Sequence, residues 1–263
     1  MPGRELVDWE KKDGVGVMTI NNPPVNALSG MVVKDILECL GEMETDDGVR
    51  VVVVTGAGPK AFMAGADIKE FPHLMQGKAG LAGEYASRAH GMFNRLDNFP
   101  KPTVAAINGL ALGGGCELAL SCDLRVAGEK ALLGLPEIKL GLFPGGGGTQ
   151  RLPRLVGEAK AKELMFLGDF IPAQEAMRIG LVNSVVPQDE VLTAALDLAK
   201  RISQRPGAAL SLIKQAVDRG MQMTLEEGLR LECDLFDRVF LTEDCREGVS
   251  AFIEKRDPKF SHC

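Results

Sequence analysis

The chain has no CxxC pair, only three histidines (His73, His90, His262), and six scattered cysteines: Cys39, Cys116, Cys122, Cys233, Cys245 and Cys263. This pattern argues against a bound structural metal and for free thiols in a reducing compartment, here expected to be the cytoplasm. With no histidine near them in sequence, Cys116 and Cys122 read as small core residues rather than nucleophiles. An excess of positive charge is also missing. The net charge of −6 speaks against nucleic acid or an anionic membrane as the main partner. No internal repeat or low-complexity tract occurs. The longest run of small apolar residues, Thr103 to Cys122, is broken by Asn108, Glu117 and four glycines, so it reads as a buried strand, turn and helix, not a membrane span. The opening MPGRELVDWEKKDG is too charged for a signal peptide.

What is present is enough apolar residue for an ample core: 263 residues, 45% hydrophobic and 25% charged. VGVMTI at 15–20 predicts a strand ending at the NNPP turn. Ser29 is placed to cap a helix carrying Val32, Val33, Ile36, Leu37 and Leu40 at helical spacing. VRVVVVTG at 49–56 reads as a strand covered on both faces. PTVAAING at 102–109 predicts another, followed by a glycine turn and a helix from about Gly114 to Ser121. Further strands are expected at 124–128 and 181–187, with short helices in EAKAKELMFLG and PAQEAMRIG. The sum is an α/β layout with crossover connections. After Asp189 the strand signal ends, and 189–204, 207–219, 224–240 and 242–255 all read as helices. Thr224 and Glu227 form a capping box there, and Leu225, Leu229, Leu231, Leu235, Phe236, Val239 and Phe240 make an apolar surface wide enough to suggest subunit association. The weakly periodic region 72–91 is expected to be a mobile loop or loosely held helix beside the ligand.

Two glycine-rich segments invite a nucleotide-binding reading and fail it. GAGPKA at 56–61 has the GxGxxA shape, but Pro59 and the Ala64-Gly65-Ala66 turn do not continue into the long helix that a dinucleotide site needs. GGGG at 145–148 lacks the GK[ST] ending of a phosphate-binding loop. GGGCE at 113–117 leads glycines directly into a helix, where free N–H groups and the helix dipole suit an oxyanion; a close packing turn with an ordinary first-turn Glu117 is the plainer alternative. In FMAGADIKEF at 62–71, the small-residue turn precedes Asp67, a candidate helix cap; backbone donors from two such turns converging on one carbonyl oxygen would form an oxyanion hole. Glu117 and Glu137 lie twenty residues apart in apolar, glycine-rich company, where burial should raise a carboxyl pKa toward neutrality.

AFMAGADIKEF, KPTVAAINGLALGGGCELALSCDLRVAGEKA, LGLPEIKLGLFPGGGGTQRLPRLVG and REGVSAFIEKR together resemble the crotonase family, specifically its short-chain enoyl-CoA hydratases, from Val15 to Lys259. The resemblance implies a spiral of ββα units over residues 1–188 holding the active site, and a C-terminal helical layer over 189–263 serving oligomerisation and active-site cover. It implies hydration of a 2-trans-enoyl-CoA to a 3-hydroxyacyl-CoA, with coenzyme A as part of the substrate and no separate cofactor. By position, Glu117 and Glu137 match the catalytic carboxyls, Ala66 and Gly114 the backbone donors to the thioester oxygen, and Gly145 a glycine that helps hold the water. Ala64, Asp67, Ile68 and Lys69 match positions near coenzyme A, while Phe252 and Lys255 match a patch reaching it from a neighbouring subunit. A homotrimer or hexamer is implied, and association with a separate 3-hydroxyacyl-CoA dehydrogenase is compatible with it, since the chain ends soon after SAFIEKR with no room for a fused one. Other reactions of the superfamily, such as enoyl isomerisation, and non-enzymatic RNA binding are the alternatives. Possession of both glutamates favours hydration over the first, and the acidic charge argues against the second.

Overall fold

The computed structural model describes residues 4–76 and 80–262, the side chains of Glu70, His73 and Leu74 excepted. Cys263 and residues 77–79 of the 72–91 region therefore lie outside the described residues. The chain opens with an antiparallel hairpin, β1 (Val7–Lys12) and β2 (Val15–Ile20), followed by α1 (Gly30–Thr45). Ser29 caps α1 as its sequence predicts, its hydroxyl accepting from the Val32 N–H at 3.3 Å. Three successive units then each give one strand to a large sheet and one to a small sheet. The first is β3 (Val51–Gly56) and β4 (Ala61–Ala64), leading through a 3₁₀ turn at Ile68–Glu70 into α2 (Phe71–Met75) and α3 (Leu81–Asp97). The second is β5 (Thr103–Ile107), β6 (Leu110–Leu112) and α4 (Gly114–Leu120). The third is β7 (Leu124–Gly128) and β8 (Leu132–Gly134), then a 3₁₀ turn at Glu137–Leu140, α5 (Gly148–Val156) and α6 (Glu158–Leu167). After β9 (Ile171–Pro172), α7 (Ala173–Arg178) and β10 (Ser184–Val186) come α8 (Val191–Ser203), α9 (Gly207–Gly220), α10 (Leu225–Phe240) and α11 (Glu243–Glu254).

The large sheet runs β1-β2-β3-β5-β7-β10, parallel except for the first pair; the small one runs β4-β6-β8-β9, parallel except for the last. This is the expected spiral of ββα units. The valine run of β3 is buried throughout because the two faces of its strand enter different cores: Val52 and Val54 point toward α1 and the small sheet, Val51 and Val53 toward α8. On α8, Val191, Ala195 and Ala199 recur every fourth residue and cover that second face.

Several elements depart from the sequence reading. The segment 72–91, expected as a loop or loose helix, is helical in α2 and in the first part of the 17-residue α3, whose buried residues Met92, Phe93 and Leu96 lie beyond it at the helix's C-terminal end, which is why periodicity over 72–91 is weak. The strand expected over 181–187 narrows to Ser184–Val186. β1 is a charged edge strand, and β4, β6 and β8 are only three or four residues long, too short to carry a period of their own. The four terminal helices and the Thr224–Glu227 capping box form as predicted.

Candidate active site

The strand-to-helix turns of the first two units meet back to front. Gly113 caps α4 with φ +53°, and its N–H donates to Gly134 O at 2.9 Å. Gly115 is pressed against β4: a Cβ there would fall 1.8 Å from the Met63 carbonyl oxygen. On the facing turn, Gly65 N–H donates to Leu112 O, while Leu28 bridges Ala66 through Leu28 N–H to Gly65 O at 2.9 Å and Asp67 N–H to Leu28 O at 2.8 Å. That pattern leaves the Ala66 N–H outside the bridge, and the Gly114 N–H lies at the free end of its helix; neither has a backbone acceptor among the described residues. The two come close, with Ala66 N 3.9 Å from the position a Cβ on Gly114 would take. Asp67 caps the 3₁₀ turn as expected, accepting from the Lys69 N–H at 3.1 Å.

Glu117 sits on the first turn of α4 and is 3% exposed. Its Oε1 accepts from the Gly146 N–H at 2.7 Å and the Gly148 N–H at 2.8 Å. Burial raises its pKa, and those two N–H donors together with the charges of His90 and Arg151 oppose the rise. Glu137 opens the 3₁₀ turn after β8. Its Oε1 lies 2.9 Å from where a Gly113 Cβ would stand, and its Oε2 is buried with no hydrogen-bond partner. Burial pushes Glu137 up to about 7, its own backbone N–H opposing and the neighbouring Glu117 charge adding to the shift. The two carboxyls thus differ: one is clasped by donors, the other leaves an oxygen bare.

Both open on one cavity of about 2350 Å³, which Ala64, Ala66, Asp67, Ile68, Lys69, Gly114 and Gly145 also line. Phe252 and Lys255 do not line it; they lie on and just after α11, exposed to solvent. A volume of this size exceeds that of pockets for drug-sized molecules, roughly 300–1,000 Å³, and suits a long ligand. The thiols of Cys116 and Cys122 are buried and pushed up to about 12, which removes them as nucleophiles at neutral pH. Among the described residues no group of three or more His, Cys, Asp or Glu is arranged to hold a metal, and no helix is long and apolar enough to cross a membrane.

Sequence reasoning singled out the carboxyls but not what grips them. Gly146 and Gly148 were visible only as part of a glycine run, and the alternate spacing of the two donors is the one signal that could have marked them. His90 and Phe93 of α3 line the cavity from a region whose sequence pattern is weak. Arg151 gave no signal at all.

The chain matches the family model described as Enoyl-CoA hydratase/isomerase over residues 10–262. It is 46% identical to a short-chain-enoyl-CoA hydratase of Clostridium acetobutylicum over 251 residues, covering 94% of each chain. It is 42% identical to a crotonyl-CoA hydratase of Syntrophomonas wolfei over 257 residues, covering 97% of this chain and 98% of the relative. Among solved structures, an enoyl-CoA hydratase from Bacillus anthracis superposes with a TM-score of 0.92 at 39% identity, covering 98% of this chain and 100% of that one.

Proposed function

The chain belongs to the enoyl-CoA hydratase/isomerase family, and from that premise we propose that Glu117 and Glu137 together carry the addition of water to an enoyl-CoA thioester. The activity is hydration across the 2,3 double bond of a 2-trans-enoyl-CoA, giving a 3-hydroxyacyl-CoA. Coenzyme A enters as part of the substrate.

In the proposed mechanism the thioester oxygen accepts from the Ala66 and Gly114 N–H groups, which polarise the conjugated system and stabilise the enolate as it forms. Glu117, whose two backbone donors favour its ionised form, takes a proton from water as the oxygen bonds to C3. Glu137, whose bare buried oxygen favours a bound proton, gives that proton to C2. Water is thereby consumed whole: its hydroxyl ends on C3, its second proton stays on Glu117, and the C2 proton comes from Glu137. Exchange with solvent resets the pair, which titrates as a unit.

The observation that carries this reading is the unequal provision of the two carboxyls over one cavity: two N–H donors on Glu117, none on the buried Glu137 Oε2. Gly145 is assigned to the water, and Ala64, Asp67, Ile68 and Lys69 to coenzyme A, on the strength of their common cavity wall. Phe252 and Lys255 are assigned to the coenzyme A of a neighbouring subunit, which their exposure allows. Residues 1–188 are taken as the catalytic core and 189–263 as the helical region for association and cover, in a homotrimer or hexamer. A cytoplasmic place in fatty-acid β-oxidation, with product passing to a 3-hydroxyacyl-CoA dehydrogenase, fits this chemistry. Loss of the conjugated absorbance of crotonyl-CoA tests the activity. Wild-type rates in both Glu117→Gln and Glu137→Gln would overturn the mechanism.

A further inference from the structure

Arg151 stands on α5, one turn beyond the glycine run, with its guanidinium turned back under the site. Its Nη1 donates to Gly146 O at 3.3 Å, its Nη2 to Asn94 Oδ1 at 2.7 Å and Asp97 Oδ2 at 3.0 Å, and its Nε to Asp97 Oδ2 at 3.2 Å. The Gly146 carbonyl belongs to the peptide joining Gly146 to Gly147. The peptides on either side of it supply the N–H groups of Gly146 and Gly148, the two donors on Glu117 Oε1. The guanidinium occupies the space beside Gly147, where φ is +107° and a Cβ would come 2.2 Å from Arg151 Nη1. A fork held by two side chains of α3 therefore grips the central peptide of three, and the outer two grip the carboxylate.

We propose that Arg151 is a positioning residue for the hydration: by fixing the Gly146–Gly147 peptide to α3, it keeps both N–H donors on Glu117. This rests on the reading of Glu117 as the group that receives the water proton. The titratable and charged groups facing Glu117 are His90 from α3, Arg151 from α5 and Glu137 from the 3₁₀ turn, with the Cys116 thiol beside it on α4. Asp97 is engaged with Arg151. Taking away the Arg151 cation removes one influence that favours ionised Glu117, so the acid limb of kcat should move to higher pH.

The test compares the full-length wild type with Arg151→Gln, Arg151→Lys, Glu117→Gln and the Glu117→Gln/Arg151→Gln double variant, reading kcat and KM for crotonyl-CoA against pH. In Arg151→Gln, kcat should fall about 10- to 100-fold, the scale of a small misplacement of a catalytic group, with KM almost unchanged and the acid limb shifted upward. Arg151→Lys retains the charge without the fork, so it should keep the wild-type limb and recover part of kcat. The double variant should lose nothing beyond Glu117→Gln alone. A wild-type kcat and limb in Arg151→Gln, beside an inactive Glu117→Gln, would overturn the positioning role alone. So would a kcat loss with an unmoved limb that adds in full to that of Glu117→Gln. Wild-type activity in Glu117→Gln would instead sink the parent reading, and the positioning role with it. Should Arg151→Gln fail to fold, Asn94→Ala, which removes one anchor of the fork, is read instead; a smaller kcat loss at constant KM is expected, and an unchanged kcat overturns the proposal.

Discussion

The carboxyl of Glu137 occupies the space that a side chain on Gly113 would need: its Oε1 is 2.9 Å from the position of that missing Cβ. Gly113 also holds φ +53° with ψ −123°, a conformation closed to residues with a Cβ. The acid and the cap of α4 are therefore packed as one unit.

Gly113→Ala should consequently act on stability and on catalysis. The backbone conformation alone should lower stability by about 1–3 kcal/mol, read as a shift in the urea midpoint. The displaced Glu137 should lower kcat in the fraction that remains folded. A variant with wild-type kcat and midpoint would show that Glu137 does not depend on this gap.

Glu137 should make both stability and rate depend on pH. Its folded pKa of about 7 lies above the ordinary carboxyl value of 4.5, so between those values the native state holds a proton that the unfolded chain has released. The associated stability is present in full below the unfolded pKa and is lost as pH rises through about 7. Glu117 is raised as well, so its contribution has the same sign. Melting temperatures taken across this range should fall more steeply for the wild type than for Glu137→Gln. If the two curves run parallel, the Glu137 shift is not what the structure indicates. If Glu137 is the proton donor proposed above, the wild-type kcat should also decline on the alkaline side as it loses that proton.

Lys214 ties α9 to the core through Asp123, Nζ to Oδ1 at 2.9 Å, and Asp123 also accepts from the Thr103 N–H at 2.7 Å and the Thr103 hydroxyl at 3.0 Å. Lys214→Met should leave Asp123 on Thr103 but release α9, at about 1.5–3 kcal/mol for a charged hydrogen bond. Asp218, already pushed up to about 6 by burial with Lys214 opposing, should rise further. Faster amide exchange confined to α9 is the expected signature, and unchanged exchange there would reject the tie.

The exposed apolar residues of α10 and α11 predict self-association. Leu225, Leu229, Phe236 and Phe240 stand largely in solvent on α10, and Phe252 and Ile253 on α11. Light scattering at micromolar concentration should give a trimer or hexamer. Phe236→Asp combined with Phe240→Asp should shift it toward smaller species, whereas a wild-type monomer would refute the association.

How far the sequence led depended on whether a residue's neighbours were local. The four valines of β3 announced a strand buried on both faces because β-branching and burial are written in consecutive residues. Ser29, Asp67 and Thr224 announced their caps because each partner lies within three positions. β4, β6 and β8 were silent, since a strand of three or four residues exists only where a distant strand pairs with it. In the site, Glu117 and Glu137 stood out as carboxyls in apolar company. The donors on Glu117 come from 29 and 31 residues away, and Arg151 grips a carbonyl, a partner that no side-chain pattern advertises.

The contact of Gly115 with β4 joins main chain to main chain, with the missing Cβ leaving the Met63 carbonyl against the helix. Beside that meeting the Leu28 side chain lies 3.2 Å from where a Gly114 Cβ would stand, so the Ala66 and Gly114 N–H groups are spaced by the peptides together with Leu28. The cavity above it is lined by side chains carried on α3 and on the 3₁₀ turn at Glu137–Leu140. Substitutions among those side chains that spare Glu137 and the α3 anchors of Arg151 (Asn94 and Asp97) should therefore leave the Gly115–Met63 contact in place.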